Sequence, residues 1–282
     1  MRSAFIAFGG VSHVFLMSTL ILYSLGMAFY ICFFYSQRER IERVANMAMW
    51  AGLLAHSLLL VDSYLILDRF PVIDLRESLS FFSWSLVVLY LIARGFYGLR
   101  SAGVFVTPLA LGLIISSAFL SRGAFQGDER FATLIFPFHI FSAFLGHATF
   151  ALAFAAGLMY LLQERGLKRR RPGLLLKRLP SLEELDELGY RLVSVGFMLL
   201  TLGIATGSFW LHSTDGYYLK WDPKITSSMV TWFFYAAILH ARLTAGWRGR
   251  RTAIFAIIGF CSVLFTFLGA GFIRAGFHNF FF

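Results

Sequence analysis

The chain has 282 residues, of which 58% are hydrophobic, 14% are charged and 33 are phenylalanine, and its mean hydropathy is +0.71. That composition belongs to a polytopic membrane protein and excludes a soluble globule. The net charge of +10 fits membrane topology and contact with anionic membrane lipids, so no nucleic-acid partner is expected.

Eight apolar runs lie near 11–35, 46–67, 79–97, 103–120, 134–162, 191–211, 226–245 and 252–273. Each is long enough to cross a hydrocarbon core of roughly 30 Å, for which about 20 residues suffice. Spanning segments satisfy their own backbone groups, and these runs are too long and continuous for barrel strands. The expected fold class is therefore an all-α polytopic membrane helix bundle, a single integral membrane domain over 1–282. The first run is too long for a cleavable signal and is followed by QRERIER, the pattern of a retained first span. Cys32 and Cys261 stand alone in apolar runs, which argues against a disulfide framework, a thiol redox pair and a zinc site. Of the 25 Lys and Arg residues, 17 fall in four connections, at 38–43, 94–100, 165–191 and 242–251. The positive-inside rule makes these cytoplasmic and places both termini and the 206–224 region on the outer side.

The connection over 163–190 contains KRRRP at 168–172, a turn at Pro172-Gly173, and Ser181 followed by Glu184 in a capping box. Leu182, Leu185 and Leu188 give the helix that follows one apolar stripe, expected to lie along the membrane surface before the sixth span. Beyond that span, TGSFWLHSTDGYYLKWDPKITSSMVTWFFYAAILH (206–240) sets aromatic residues and a WDPK turn between two apolar runs. Asp222 and Pro223 read as the start of the seventh helix, the carboxylate capping free N–H groups and the proline filling the first helical position. Trp210, Tyr217, Tyr218 and Trp221 fit an interfacial aromatic belt, and equally one wall of a site for a flat amphipathic ligand.

The chain's chemical capacity lies in its seven histidines. His13, His139, His212 and His278 share the outer level; His147 is roughly 12 Å deeper than His139, His56 enters from the inner side by roughly 15 Å, and His240 lies roughly 21 Å below the outer start of its span. An imidazole in hydrocarbon needs a hydrogen bond, a pairing or a metal. Two levels with at least two histidines each fit two bis-histidine haem sites stacked across the membrane, and depth alone does not choose the pairs. Asp62 is the clear intramembrane acid; it either pairs with a histidine or marks a cavity, and a proton relay would be expected to add more carboxylates.

The 206–240 string resembles the tryptophan-rich loop of the CcsA/CcmC-type cytochrome c assembly proteins, whose pattern is close to TGxxWxxxxWGxYWxWDPKETWxLITWxxYAxYLH. Thr206, Gly207, Trp210, Gly216, Tyr218, Trp221, Asp222, Pro223, Lys224, Thr231, Trp232, Tyr235 and His240 fall on it without a gap. The likeness extends to ESLSFFSW at 77–84, to 139–162 and to ARLTAGWRGRR at 241–251. It implies haem b as cofactor, His139 and His278 as an outer axial pair, and His240 as a ligand within the membrane. His56 is then the best internal partner for His240 by depth, with His147, where the family usually has tyrosine, in reserve. Trp210, Tyr218, Trp221 and Asp222 complete the expected cofactor-binding set, and Lys220, Lys224 and Arg274 are placed for the haem propionates. The family's first and second loop tryptophans are Asp215 and Leu219 here, its glutamate after WDPK is Ile225 and its next tryptophan is Ser227. That pattern resembles HemX-like members, associated with haem biosynthesis and its regulation. The expectation is a haem-binding protein that handles, relays or senses haem, not by itself an attachment enzyme, in a bacterial-type inner membrane with its loop on the periplasmic face. Its expected partners are haem, lipid and other cytochrome c assembly or haem biosynthesis proteins. The alternatives are a haem exporter or haem-attachment subunit, and a scaffold subunit without haem.

Overall fold

The computed structural model of the chain describes residues 2–120, 133, 135–169, 178–219 and 222–269, and among them every regular element is helical. The long helices in chain order are α1 (Arg2–Ser36), α2 (Glu39–Leu67), α3 (Leu75–Tyr97), α4 (Gly103–Phe119), α5 (Ile135–Lys168), α6 (Leu182–Asp215), α7 (Pro223–Thr244) and α8 (Arg250–Leu264). The last runs into a π-helical turn at Phe265–Gly269. The fold is thus the all-α polytopic bundle that the apolar runs call for. Seven segments among the described residues have the length and apolarity to cross a membrane. Helix α7 falls short in hydropathy because Lys224, Thr226, Ser227, Ser228, Thr231 and His240 interrupt its apolar surface. The chain divides into two compact units, Met1–Ala132 and Thr133–Phe282.

In the first unit α1 packs on α2 and α4, and α3 on α4 and α2. Helix α3 starts with a capping box, the Asp74 carboxylate accepting from the Glu77 N–H at 2.7 Å. Glu77 in turn holds the Arg69 guanidinium at 2.9 and 3.1 Å. Serines of the same ESLSFFSW stretch then tie α3 to its surroundings: Ser78 donates to the Val72 carbonyl and Ser83 to the Ala110 carbonyl, each at 2.8 Å. Asp62 accepts from the Ser12 hydroxyl. Beside that pair lies a cavity of about 200 Å³ whose wall includes Ser12, His13, Leu59, Arg76, Glu77 and Ser80.

In the second unit α5 packs on α6 and α8, and α7 on α8 and α6. Small residues let the backbones of α5 and α6 touch: a Cβ on Gly146 would come within 2.9 Å of the Leu200 nitrogen, and one on Gly203 within 3.0 Å of the Ala143 backbone. The capping box at Ser181 and Glu184 forms, with Ser181 N–H to Glu184 Oε2 at 2.8 Å and Glu184 N–H to Ser181 Oγ at 3.2 Å. The helix it starts is not a separate surface element. It continues unbroken for 34 residues as α6, and Leu185 and Leu188 are buried in protein. One carboxylate anchors the start of α6: Asp186 accepts from Arg242 at 3.0 Å, the Gly249 N–H at 2.7 Å and the Thr252 hydroxyl at 3.0 Å.

Candidate functional site

The half of the second unit where α5 starts and α6 ends brings together three parts of the 139–240 sequence. His139, in the second turn of α5, faces α6. Its Nδ1 donates to the Gly203 carbonyl at 2.7 Å, and a carbonyl only accepts, so the proton sits on Nδ1 and the ring's electron pair on Nε2. A Cβ on Gly207 would lie 2.6 Å from His139 Cε1, so the glycine of the TG dipeptide is the space the imidazole fills. Thr206 donates to the same Gly203 carbonyl at 3.1 Å. A backbone carbonyl on one ring nitrogen is the arrangement that orients a histidine for metal binding through the other.

The loop is held at both ends. Gly216 ends α6 in the left-handed conformation (φ 78°), its N–H bonding the His212 carbonyl at 3.0 Å. Asp222 starts α7, its carboxylate accepting from the Lys224 and Ile225 N–H groups at 2.8 and 3.4 Å; it is fully buried. The two described loop aromatics expected to pack a ligand take different faces of α6. Trp210 is buried against Phe136, ring centroids 5.2 Å apart. Tyr218 is exposed, stacked on His212 at 4.0 Å and set edge-on to Phe209 at 6.2 Å. That exposed triad was not legible beforehand, because it depends on the loop turning back until the Tyr218 carbonyl accepts from Ser208 at 2.5 Å. Trp221, Lys220, His278 and Arg274 lie outside the described residues.

Two histidines of the second unit lie deeper. His147 of α5 is buried, with Nδ1 donating to the Ala143 carbonyl one turn earlier at 2.7 Å; among the described residues no hydrogen-bond partner reaches Nε2. The Phe267 ring stands edge-on to it with centroids 5.2 Å apart. His240 lies on the exposed side of α7, along the stripe that contains Val230, Phe233 and Ala237. His56 belongs to the first unit and has both nitrogens engaged: Nδ1 with the Tyr23 hydroxyl at 3.2 Å and Nε2 with the Ser80 hydroxyl at 3.0 Å. Releasing Nε2 for a metal requires breaking the Ser80 bond, a modest cost of about 1 kcal/mol in net terms. GIATG at 203–207 is a small-xxx-small motif, which signals a close helix contact in the sequence without naming His139 as the residue that fills it.

Residues 72–278 match the family described as Cytochrome C assembly protein. The chain is 31% identical to a protein named Cytochrome c biogenesis protein CcsA from Gloeobacter violaceus, over 81% of this chain and 83% of that one. It is 29% identical to a protein of the same name from Synechococcus elongatus, over 94% of each chain. Among solved structures the fold is similar to Cytochrome c Heme Lyase CcmF, with a TM-score of 0.65 and 16% identity. That alignment covers 92% of this chain and 46% of the other, so the chain spans about half the length of that structure, and the likeness is one of fold.

Proposed function

The chain belongs to the cytochrome c assembly protein family, and we propose that it binds haem b through histidine ligands and handles, relays or senses it at the outer face of a bacterial-type inner membrane. His139 with His278 is the outer axial pair in this reading, and His240 and His56 are the inner-level histidines, each taken within its own unit. Trp210, Tyr218, Trp221 and Asp222 are the loop residues assigned to the cofactor in this reading, with Tyr218 on an exposed face and Trp210 and Asp222 buried. The observation that carries the proposal is the His139 imidazole, oriented by the Gly203 carbonyl and seated in the space left by Gly207. A haem brings four nitrogens of its own, so one or two such imidazoles complete its coordination. Purified from haem-replete cells, the chain is expected to show a Soret band and sharp reduced α and β bands. Replacing His139 and His240 together by alanine is expected to remove most of that haem; a colourless wild-type preparation would sink the reading.

The HemX-like accessory role rests on Asp215, Leu219, Ile225 and Ser227, which stand where the attachment loop is aromatic or acidic. The second reading, a haem-attachment subunit, is supported by relatives named for cytochrome c biogenesis, of which attachment would be one step. A CxxCH reporter co-expressed in a strain lacking its own assembly system separates the two: no covalent haem on the reporter supports the accessory role, and covalent haem supports attachment.

A further inference from the structure

We infer that His147 is a further haem-iron position of the second unit, bound through Nε2 and placed between His139 and His240. The inference deepens the haem reading above and rests on it. Its first support is an uncompensated atom. His147 is 3% exposed, its tautomer is set by the Ala143 carbonyl at 2.7 Å, and among the described residues Nε2 has no partner. A buried polar atom without a partner costs about 1–3 kcal/mol even in a soluble core, and hydrocarbon has no water to offset it. An electron pair kept in such a place points to something that it binds.

The second support is a repeated arrangement. His139 and His147 both give Nδ1–H to a backbone carbonyl at 2.7 Å and so carry the electron pair on Nε2. His56 differs, since hydroxyls meet both of its nitrogens. Chemistry then selects the metal. A bare ion such as zinc takes three or four protein ligands, and no group of three or more His, Cys, Asp or Glu side chains able to hold a metal exists among the described residues. One imidazole suffices only where the other ligands arrive with the metal, as in a porphyrin. The neighbours of His147 are aromatic: Phe267 stands edge-on to it and packs on Phe144, with ring centroids 5.2 Å apart in each pair. Phe267 belongs to the π-helical turn Phe265–Gly269, an irregularity often found at functional positions.

Depth gives the position its meaning. Phe150 of α5 and Tyr235 of α7 stack at 3.6 Å, which sets the two helices in register. Counted from that pair, His147 lies three residues toward the outer end and His240 five toward the inner end, a separation of roughly 12 Å. His139 lies eight residues above His147, again roughly 12 Å. These spacings are too large for any two of the three to share one iron and leave His147 as the middle of three levels.

The test uses the full chain in detergent, titrated with haemin, in four forms: wild type, His139→Ala with His240→Ala, that double variant with His147→Phe, and the double variant with His147→Gly. The double variant is expected to keep a Soret-absorbing haem. Adding His147→Phe should weaken that residual binding by about tenfold or more. In the His147→Gly form it should return when free imidazole is supplied, a rescue that a merely structural role does not produce. Thermal melting and gel filtration confirm that each form is folded. Residual haem unchanged by His147→Phe, a double variant that binds none while wild type does, or failure of imidazole rescue would each overturn the inference. A wild type that binds no haemin would overturn the haem reading itself, and this inference with it.

Discussion

His139 owes its orientation to two glycines on the neighbouring helix, one supplying a carbonyl and the other supplying room. Gly207→Ala drives a methyl to 2.6 Å from the ring and is expected to swing the imidazole off the Gly203 carbonyl. It should lower haem content while costing about 1–3 kcal/mol of stability from overpacking; haem per protein and thermal melting measure the two effects. Unchanged haem content in that variant would mean that the ring's seat does not matter. Asp222 makes a separate case at the same scale. As the N-cap of α7, it should cost about 1 kcal/mol when replaced by alanine and much less when replaced by asparagine, which also caps. Thermal melting of the two variants checks this, and equal losses would assign the carboxylate a role beyond capping. The Asp222 cap could be read directly from the DP dipeptide, because capping is local. The His139 cradle could not, because a contact across 64 residues needs the α5–α6 packing to be known.

At the scale of elements, the second unit is organised by how closely α5 and α6 approach. Gly146→Leu or Gly196→Val would force the two backbones apart, since a Cβ at Gly146 already meets the Leu200 nitrogen at 2.9 Å and one at Gly196 meets the Phe150 ring at 2.6 Å. Either is expected to destabilise the unit by about 1–3 kcal/mol or more. Gly189→Ala, on the same helix with nothing within 4 Å of the new methyl, is expected to be neutral or stabilising by up to about 1 kcal/mol. Detergent-phase melting of the three variants tests this; similar losses in all three would contradict the packing account. Helix starts at Ser181 and Asp222 were legible from residue type, as was the run of spans. The continuity of α6 was not: Leu182, Leu185 and Leu188 make the same stripe whether lipid or protein covers it, and Asp186 reveals its anchoring role only beside Arg242, Gly249 and Thr252. The inward polar face of α7, where Thr231 reaches the Ser227 carbonyl at 2.9 Å and the Ser262 hydroxyl at 3.0 Å, likewise makes sense only against α8.

For the whole molecule, apolar runs made the succession of helices readable, because it follows from the bilayer as solvent, and the positive charge gives an expected orientation. The histidine pairs were not readable, since depth along a helix says nothing about which face a ring takes: His147 turns inward and His240 outward. Orientation itself is open to test. With Cys32 and Cys261, both exposed, replaced by serine, Tyr217→Cys is expected to react with a membrane-impermeant maleimide in intact cells. Arg169→Cys is expected to react only after lysis, and the reverse pattern would invert the topology. The central claim, that the second unit holds haem through His139, is tested most directly by the reduced absorption spectrum of purified wild type and His139→Ala, each with and without added imidazole. The account expects low-spin α and β bands in wild type, their weakening in the variant, and their recovery with imidazole; a wild type without haem, or a variant with an unaltered spectrum, would contradict it.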